Sequence, residues 1–295
     1  MEGHMKRNSA KFLIAVFACI LLFSGCINIQ NEEETTTPIG DVGNANPSAI
    51  GSYKTMEYTY QTNVDISCLT THLDPTYLIL ANKTNALSED YVPASLTTLT
   101  CETTYSMKLE SRAAQALYAM LAEMKAAGVS DISVTSAYRS YEKQSETYNL
   151  WVQQEMSGGF SQDAYRVLGQ AYIKMNYLDK EINRLSLADA HKVAQSYSAQ
   201  PGQSEHQTGL CVDFITSGMN GELTEAFEYT EAFAWLTENA YKFGFILRYP
   251  RDKQDITGYT YEPWHYRFVG REAATDIYVG EMTLEQYLQL VNQEQ

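Results

Sequence analysis

The stretch SEHQTGLCVDF, residues 204–214, sets His206 and Asp213 seven residues apart. Its second half, with Leu210, Val212 and Phe214, reads as a buried strand. A carboxylate in such a run is costly unless it is paired or bound to a metal. A second histidine with chemical neighbours, His265, lies in YEPWHYRFV, residues 261–269. Two imidazoles and a carboxylate suit Zn²⁺ and leave a fourth position open to water. The His206–Asp213 spacing is not the i, i+4 pairing of a helical metal site. It fits a loop that turns at Gly209, enters a strand and presents Asp213 across from His206. Glu262 precedes His265 by three residues, and Pro263 between them bars a regular helix. Glu262 can then approach a zinc-activated water without being a ligand, the position of a general base. Of the other three histidines, His4 falls near the N-terminus and His72 has no acidic or aromatic motif around it. His191 lies in the polar helical segment LADAHKVAQ, where a solvated side chain is expected.

Three segments together resemble one family. SEHQTGLCVD is similar to the S-x-H-x-x-G-x-A-x-D motif of zinc-dependent D-Ala-D-Ala carboxypeptidases, the VanY-like branch of the LAS metallopeptidases. EPWHYRFVG, 262–270, resembles that family's E-x-W-H motif, and SAYRSYEKQ, 136–144, its S-x-Y-R-S-x-x-x-Q segment. YLILANKTNALSEDYVPASL, 77–96, is similar to the segment that opens the domain. The resemblance runs over about residues 76–275, in order, and three co-linear motifs are far more specific than any one.

The resemblance implies one zinc ion on His206, Asp213 and His265, with Glu262 as catalytic base. It implies that Arg139 binds the substrate's terminal carboxylate or the carbonyl oxygen under attack, a role that suits a planar guanidinium. It places Gln144, Ser204 and Tyr249 at contacts to the substrate's last residue. Bland roles compete for these three: a helix-surface side chain, a turn cap and a strand-end aromatic. Trp264 is expected to pack beneath the site. Cys211 stands where the family usually has Ala; it shares a strand face with Asp213 and is expected to be a small buried replacement. The implied activity is removal of a terminal D-Ala from peptidoglycan stem peptides. L,D-carboxypeptidase action on tetrapeptide stems is the alternative within the class.

Two rival readings have sequence support. Ser140–Lys143 is an S-x-x-K, the signature of serine acyl-enzyme peptidases, but the nearest K-T-G lookalike, Lys83-Thr84-Asn85, lacks the Gly and lies upstream. Ser140 reads better as the start of the helix that carries Gln144. A non-catalytic cell-wall binding module with a structural zinc would have no need of Glu262.

The elements that must hold these residues are mixed. ESRAAQALYAMLAEMKAAG, 110–128, has apolar residues at helical spacing and a closing Gly128. DISVTSAYR, 131–139, alternates as a half-buried strand. Residues 142–197 read as mostly helical with a break at Ser157-Gly158-Gly159. Strands are expected at 210–216, 245–250 and 261–269, and a weaker one near 53–66. Helices are expected at 232–244 and 283–291, the latter opened by a Thr283/Gln286 capping box. Without regular βαβ alternation, the fold class is α+β. The resemblance adds an LAS/Hedgehog-like form: a single domain with a small, mainly antiparallel sheet flanked by helices.

The chain has 295 residues, 44% hydrophobic, with a net charge of −15. That balance argues against nucleic acid, whose phosphates are met by clustered Lys and Arg. Lys6, Arg7 and Lys11 precede the apolar run FLIAVFACILLF, 12–23, and then Ser24, Gly25 and Cys26. This resembles a lipoprotein signal over 1–25 with lipidation at Cys26, a flexible tether over 26–52 and a catalytic domain over 53–295. On that reading the domain works outside the cytoplasmic membrane, held there by its lipid, with stem peptides as the partner. Cys68 and Cys101 are close enough in sequence for a disulfide to be conceivable, but sequence does not support one.

Overall fold

The computed structural model describes residues 45–293. The signal, Cys26 and most of the expected tether therefore lie outside the described residues. A short hairpin comes first, β1 (Leu96–Thr98) paired antiparallel with β2 (Lys108–Glu110). Helix α1 (Ser111–Ala126) follows directly. Its start is set by Glu110, whose carboxylate accepts from Arg112 N and Ala113 N at 2.8 and 3.0 Å. Gly128, at φ +89°, takes the left-handed conformation just past its end. Strand β3 (Ser133–Ser136) leads to a helical region of α2 (Tyr141–Met156), α3 (Gln162–Leu168), α4 (Gln170–Asn176) and α5 (Leu187–Ala194). Then come β4 (Cys211–Ile215), α6 (Glu231–Asn239), β5 (Phe245–Leu247), α7 (Gln254–Thr257), β6 (His265–Phe268), α8 (Arg271–Gly280) and α9 (Leu284–Gln293).

The main sheet has the order β3-β4-β6-β5, every pair antiparallel. This is the α+β arrangement expected. Its central strands are buried throughout, because α1, α6 and the hairpin pack over one face: Leu117, Met120, Val134, Val212, Phe214, Phe243, Phe245, Tyr266 and Phe268 form one core. A second core joins Ile246 and Val269 to α8 and α9, and a third lies within α2–α5. The Thr283/Gln286 capping box is formed, with reciprocal bonds of 2.9 and 3.2 Å.

Several expectations need correction. Residues 53–66 hold no strand. Their alternating aromatics pin an extended strap by their tips: Tyr58 OH meets Thr275 Oγ1 at 2.7 Å and Tyr60 OH donates to the Lys242 carbonyl at 3.1 Å. The strap's backbone bonds to a side chain instead of a strand, Gln61 N and Thr62 N donating to the Glu123 carboxylate. The end of the expected tether is docked at two points: Ala49 is buried in the second core and Gly51 N donates to Asp276 Oδ2 at 2.8 Å, while residues 46–48 are exposed. Cys68 and Cys101 are both free thiols. His191 is half-buried rather than solvated, its Nδ1 2.9 Å from Tyr148 OH.

Candidate active site

The site lies where β4 and β6 run side by side. Asp213 pairs directly with His265 in the antiparallel register. Both side chains therefore stand on the same face of the sheet, a few ångströms apart. His206 arrives from the turn before β4. Residues Glu205–Thr208 form a short 3₁₀ turn that ends at Gly209 in the left-handed conformation, φ +65°. A Cβ there would stand 3.0 Å from Leu96 Cδ2 and 3.1 Å from Pro93 Cγ, so both conformation and space favour glycine. The Gly209 carbonyl accepts from Glu110 N at 2.8 Å and ties the turn to the hairpin.

Orientation of each ring follows from its second nitrogen. His206 Nδ1 lies 2.7 Å from the Ala137 carbonyl, an acceptor only, so this nitrogen carries the proton. Nε2 is thereby left toward Asp213 Oδ2, at 3.1 Å. His265 is turned the other way: Nδ1 faces Asp213 Oδ1 at 3.0 Å and Glu262 Oε2 at 3.5 Å, and Nε2 faces Glu205 Oε2 at 3.5 Å. The two rings are edge to face, 5.1 Å between centroids. Glu262 is held by a tight turn across Pro263, His265 N donating to the Glu262 carbonyl at 3.1 Å and Glu262 N to that of Tyr249 at 3.1 Å.

The donors fit a divalent cation. His206, Asp213 and His265 are at most 6% exposed, and each Asp213 oxygen lies close to a ring nitrogen, Oδ1 to His265 Nδ1 at 3.0 Å and Oδ2 to His206 Nε2 at 3.1 Å. Burial alone would lower both imidazoles, but Cys211 and Asp213 outweigh it, lifting His206 to about 9 and His265 well above its usual value. Burial would raise the Asp213 carboxyl, but the two imidazoles hold it far below its ordinary range. A pocket that draws protons onto two imidazoles while keeping a carboxylate ionised favours positive charge, and a divalent cation can replace those protons. Glu262 behaves differently: burial raises it to about 7, with His265 pulling the other way. Two carboxylates pushed apart in this manner suit a ligand and a base.

A cavity of about 390 Å³ opens over these groups. Arg139, Gln144, Ser204, Tyr249 and Trp264 line it together with His206, Asp213, Glu262 and His265. Arg139 is held as a fork: Nη1 donates to Gln144 Oε1 at 2.7 Å and Nη2 to Ser136 Oγ at 2.8 Å. Gln144 is not a helix-surface residue. It is buried, and its Nε2 donates to the Ala199 carbonyl at 2.6 Å. Ser204 precedes the 3₁₀ turn without capping it by its side chain. Tyr249 is buried with its ring 4.8 Å from that of His265. Trp264 both lines the cavity and packs on the main core. Ser140 caps α2, its Oγ accepting from Lys143 N at 3.2 Å, while Lys143 Nζ pairs with Glu146 at 2.9 Å; neither lines this cavity.

Two features were not foreseen. Cys211 is buried, as expected of a small replacement, but its sulfur, one nitrogen of His206 and one of His265 all lie within 4.8 Å of one another. Behind His265 is an ionic cluster wholly inside the protein. Glu205 Oε1 accepts from Arg248 Nε at 2.8 Å and Arg267 Nη1 at 2.7 Å, and Arg248 pairs with Glu285 through two nitrogens at 2.9 and 2.6 Å. Burial would raise the Glu205 carboxyl, but Arg248 and Arg267 outweigh it and hold it far below the usual carboxylate range. Its second oxygen is the one that faces His265. The signal in the sequence is the one that flagged Asp213: Arg248 in FILRYP and Arg267 in HYRFV are lone charges on apolar strands.

Comparison with known proteins is consistent along the chain. The family model of VanY, D-alanyl-D-alanine carboxypeptidase, matches residues 106–271. A D-alanyl-D-alanine carboxypeptidase of Enterococcus faecalis is 35% identical over 211 residues, 72% of this chain and 65% of that protein, so the match spans about two thirds of the relative's length. The LdcB LD-carboxypeptidase structure is 33% identical with a TM-score of 0.57, covering 73% of this chain and 87% of that one. A variant of the vancomycin-resistance D,D-pentapeptidase VanY from a VanB-type cassette, solved with Zn(II), is 36% identical with a TM-score of 0.53, covering 72% and 99%.

Proposed function

The chain belongs to the VanY family of D-alanyl-D-alanine carboxypeptidases, and from that premise we propose that it hydrolyses the terminal D-Ala from peptidoglycan stem peptides with one zinc ion as cofactor. The observation that carries this reading is the meeting of His206 Nε2, Asp213 and His265 Nδ1 at about 3 Å, with the Glu262 carboxylate beside them in one cavity. His206, Asp213 and His265 would hold the zinc, which when bound acidifies water and polarises a carbonyl. Glu262 takes the proton from the attacking water and hands it to the leaving amine. Its elevated proton affinity suits a group that must accept a proton and release it again. Arg139 receives either the substrate's terminal carboxylate or the carbonyl oxygen as charge develops on it. Gln144 and Ser136 fix its guanidinium so that no ordering is needed when substrate arrives. Ser204 and Tyr249 form walls for the terminal residue.

The match to an LD-carboxypeptidase structure supports a second specificity: removal of the D-Ala that follows the diamino acid in a tetrapeptide stem. Synthetic penta- and tetrapeptides, with products read by mass, separate the two. Loss of one D-Ala from the pentapeptide is the expected result; cleavage of the tetrapeptide alone would assign the L,D activity. The charged N-terminus, the apolar run and Cys26 support action outside the cytoplasmic membrane, on a lipid anchor. Metabolic labelling with a fatty acid, lost in Cys26→Ala, is the expected outcome; label retained in that variant would refute the anchor.

A further inference from the structure

Cys211, buried behind the cavity beside His206 and His265, is a chemically active group that the proposed reaction leaves unused. Strand β4 alternates, so residues 211 and 213 share a face, and the register puts 265 and 267 of β6 on that same face. The thiol is thus aimed at the metal pocket, not into the apolar core on the sheet's other side, where Val212 and Phe214 pack. It is wholly buried, and its Sγ lies with one nitrogen each of His206 and His265 inside 4.8 Å, so a small inward shift of these side chains would bring all three onto one cation. Asp213 stands on the same strand face, 3.0–3.1 Å from a nitrogen of each ring, and adds a buried carboxylate to the donors gathered there. An alanine at position 211 would bring no donor there; a thiol brings a soft, anionic one.

We propose that Cys211 Sγ is a fourth protein ligand of the metal held by His206, Asp213 and His265. The inference rests on the zinc reading of the site. On binding, the thiol proton leaves to solvent and the sulfur donates an electron pair to the cation. Catalytic zinc centres usually carry three protein donors and one open position. A fourth donor requires a fifth position for the water, or yielding of the sulfur, when substrate enters. It also shifts preference toward softer ions, because thiolate selects for them more strongly than carboxylate or imidazole does.

The test uses the full chain loaded with one equivalent of zinc or of cobalt(II). X-ray absorption at the zinc edge should show one sulfur at about 2.3 Å beside nitrogen and oxygen donors at about 2.0–2.2 Å. The cobalt protein should show a near-ultraviolet thiolate-to-cobalt absorption that Cys211→Ala loses while still binding one cobalt. Zinc bound by nitrogen and oxygen alone, or identical cobalt spectra in the two proteins, overturns the sulfur ligand and leaves the zinc reading standing. Failure to bind either metal overturns both. The zinc measurement needs only the wild-type chain, so it decides the matter even if the variant does not fold.

Discussion

At the residue scale, the site depends on where protons reside. As the proposed base, Glu262 would work only when ionised, and burial raises its carboxyl to about 7. A cation among the adjacent histidines lowers that value, because nearby positive charge favours the ionised form. The rate, measured as kcat/KM against pH, should therefore fall as pH drops through a midpoint at or below about 7. A rate that stays flat down to about pH 4 would contradict the role. Arg139 offers a second test. Its two donors to Gln144 and Ser136 leave the guanidinium fixed and facing the cavity. Arg139→Lys keeps the charge but loses the fork, so activity should fall by roughly 10- to 100-fold, in line with about 1.5–3 kcal/mol for a charged hydrogen bond. That His206, Asp213, Glu262 and His265 would meet was legible in the sequence because the carboxylates are unusual in their settings, one on an apolar strand and one before a proline, and the structure brings all four into one cavity. Cys211 is buried as the sequence suggests, but the closeness of its sulfur to two histidine nitrogens was not legible, because strand alternation says which face a residue occupies and nothing about its distance to side chains from other segments.

At the element scale, β5, β6, α9 and the 3₁₀ turn before β4 are locked together by the buried Glu205–Arg248–Glu285–Arg267 cluster. Such a cluster is weak evidence for net stability, since desolvation offsets much of the attraction. Breaking it is a different matter. Arg248→Leu leaves buried carboxylates uncompensated and should lower unfolding free energy by about 3–5 kcal/mol in urea denaturation; a change within experimental error would refute the cluster's role. The pH dependence has a definite sign. Glu205 is held below its unfolded value of about 4.3, so its contribution is present above that pH and is lost as pH falls further. Strands β3 to β6 and helices α1, α6 and α9 could be read from the sequence, whereas helix α8 and the hairpin β1–β2 could not. Its strands are three residues each, too short for any period to register, and they exist because Gly209 and α1 dock against them. The weaker strand expected at 53–66 failed because its tyrosine hydroxyls have partners in α8 and at Lys242, which hold the segment as an extended strap.

At the scale of the whole molecule, the sheet and α8–α9 enclose the site from behind, and the α2–α5 region forms the wall that carries Gln144, Trp151 and Tyr197. The N-terminal side of the described chain is part of this body. Ala49 fills a place against α8 and α9, and Asp276 receives Gly51 N and Tyr53 N at 2.8 and 3.2 Å. A chain starting at residue 53 should thus melt lower than one starting at residue 45, by several degrees for a loss of about 1–2 kcal/mol. Equal melting temperatures would place the domain boundary back at residue 53. In the sequence 45–52 reads as tether because it is polar and lacks an apolar period; the docked Ala49 and the carboxylate of Asp276 reveal the contact.

The central claim is that this cavity hydrolyses a peptide bond with a zinc bound through His206, Asp213 and His265 and with Glu262 as the proton carrier. Glu262→Gln, assayed for zinc content and for D-Ala release from a pentapeptide stem, tests it most directly. The account predicts one zinc per chain retained and a rate lowered by about 10²–10⁴-fold. Release at the wild-type rate from the zinc-loaded variant would contradict it.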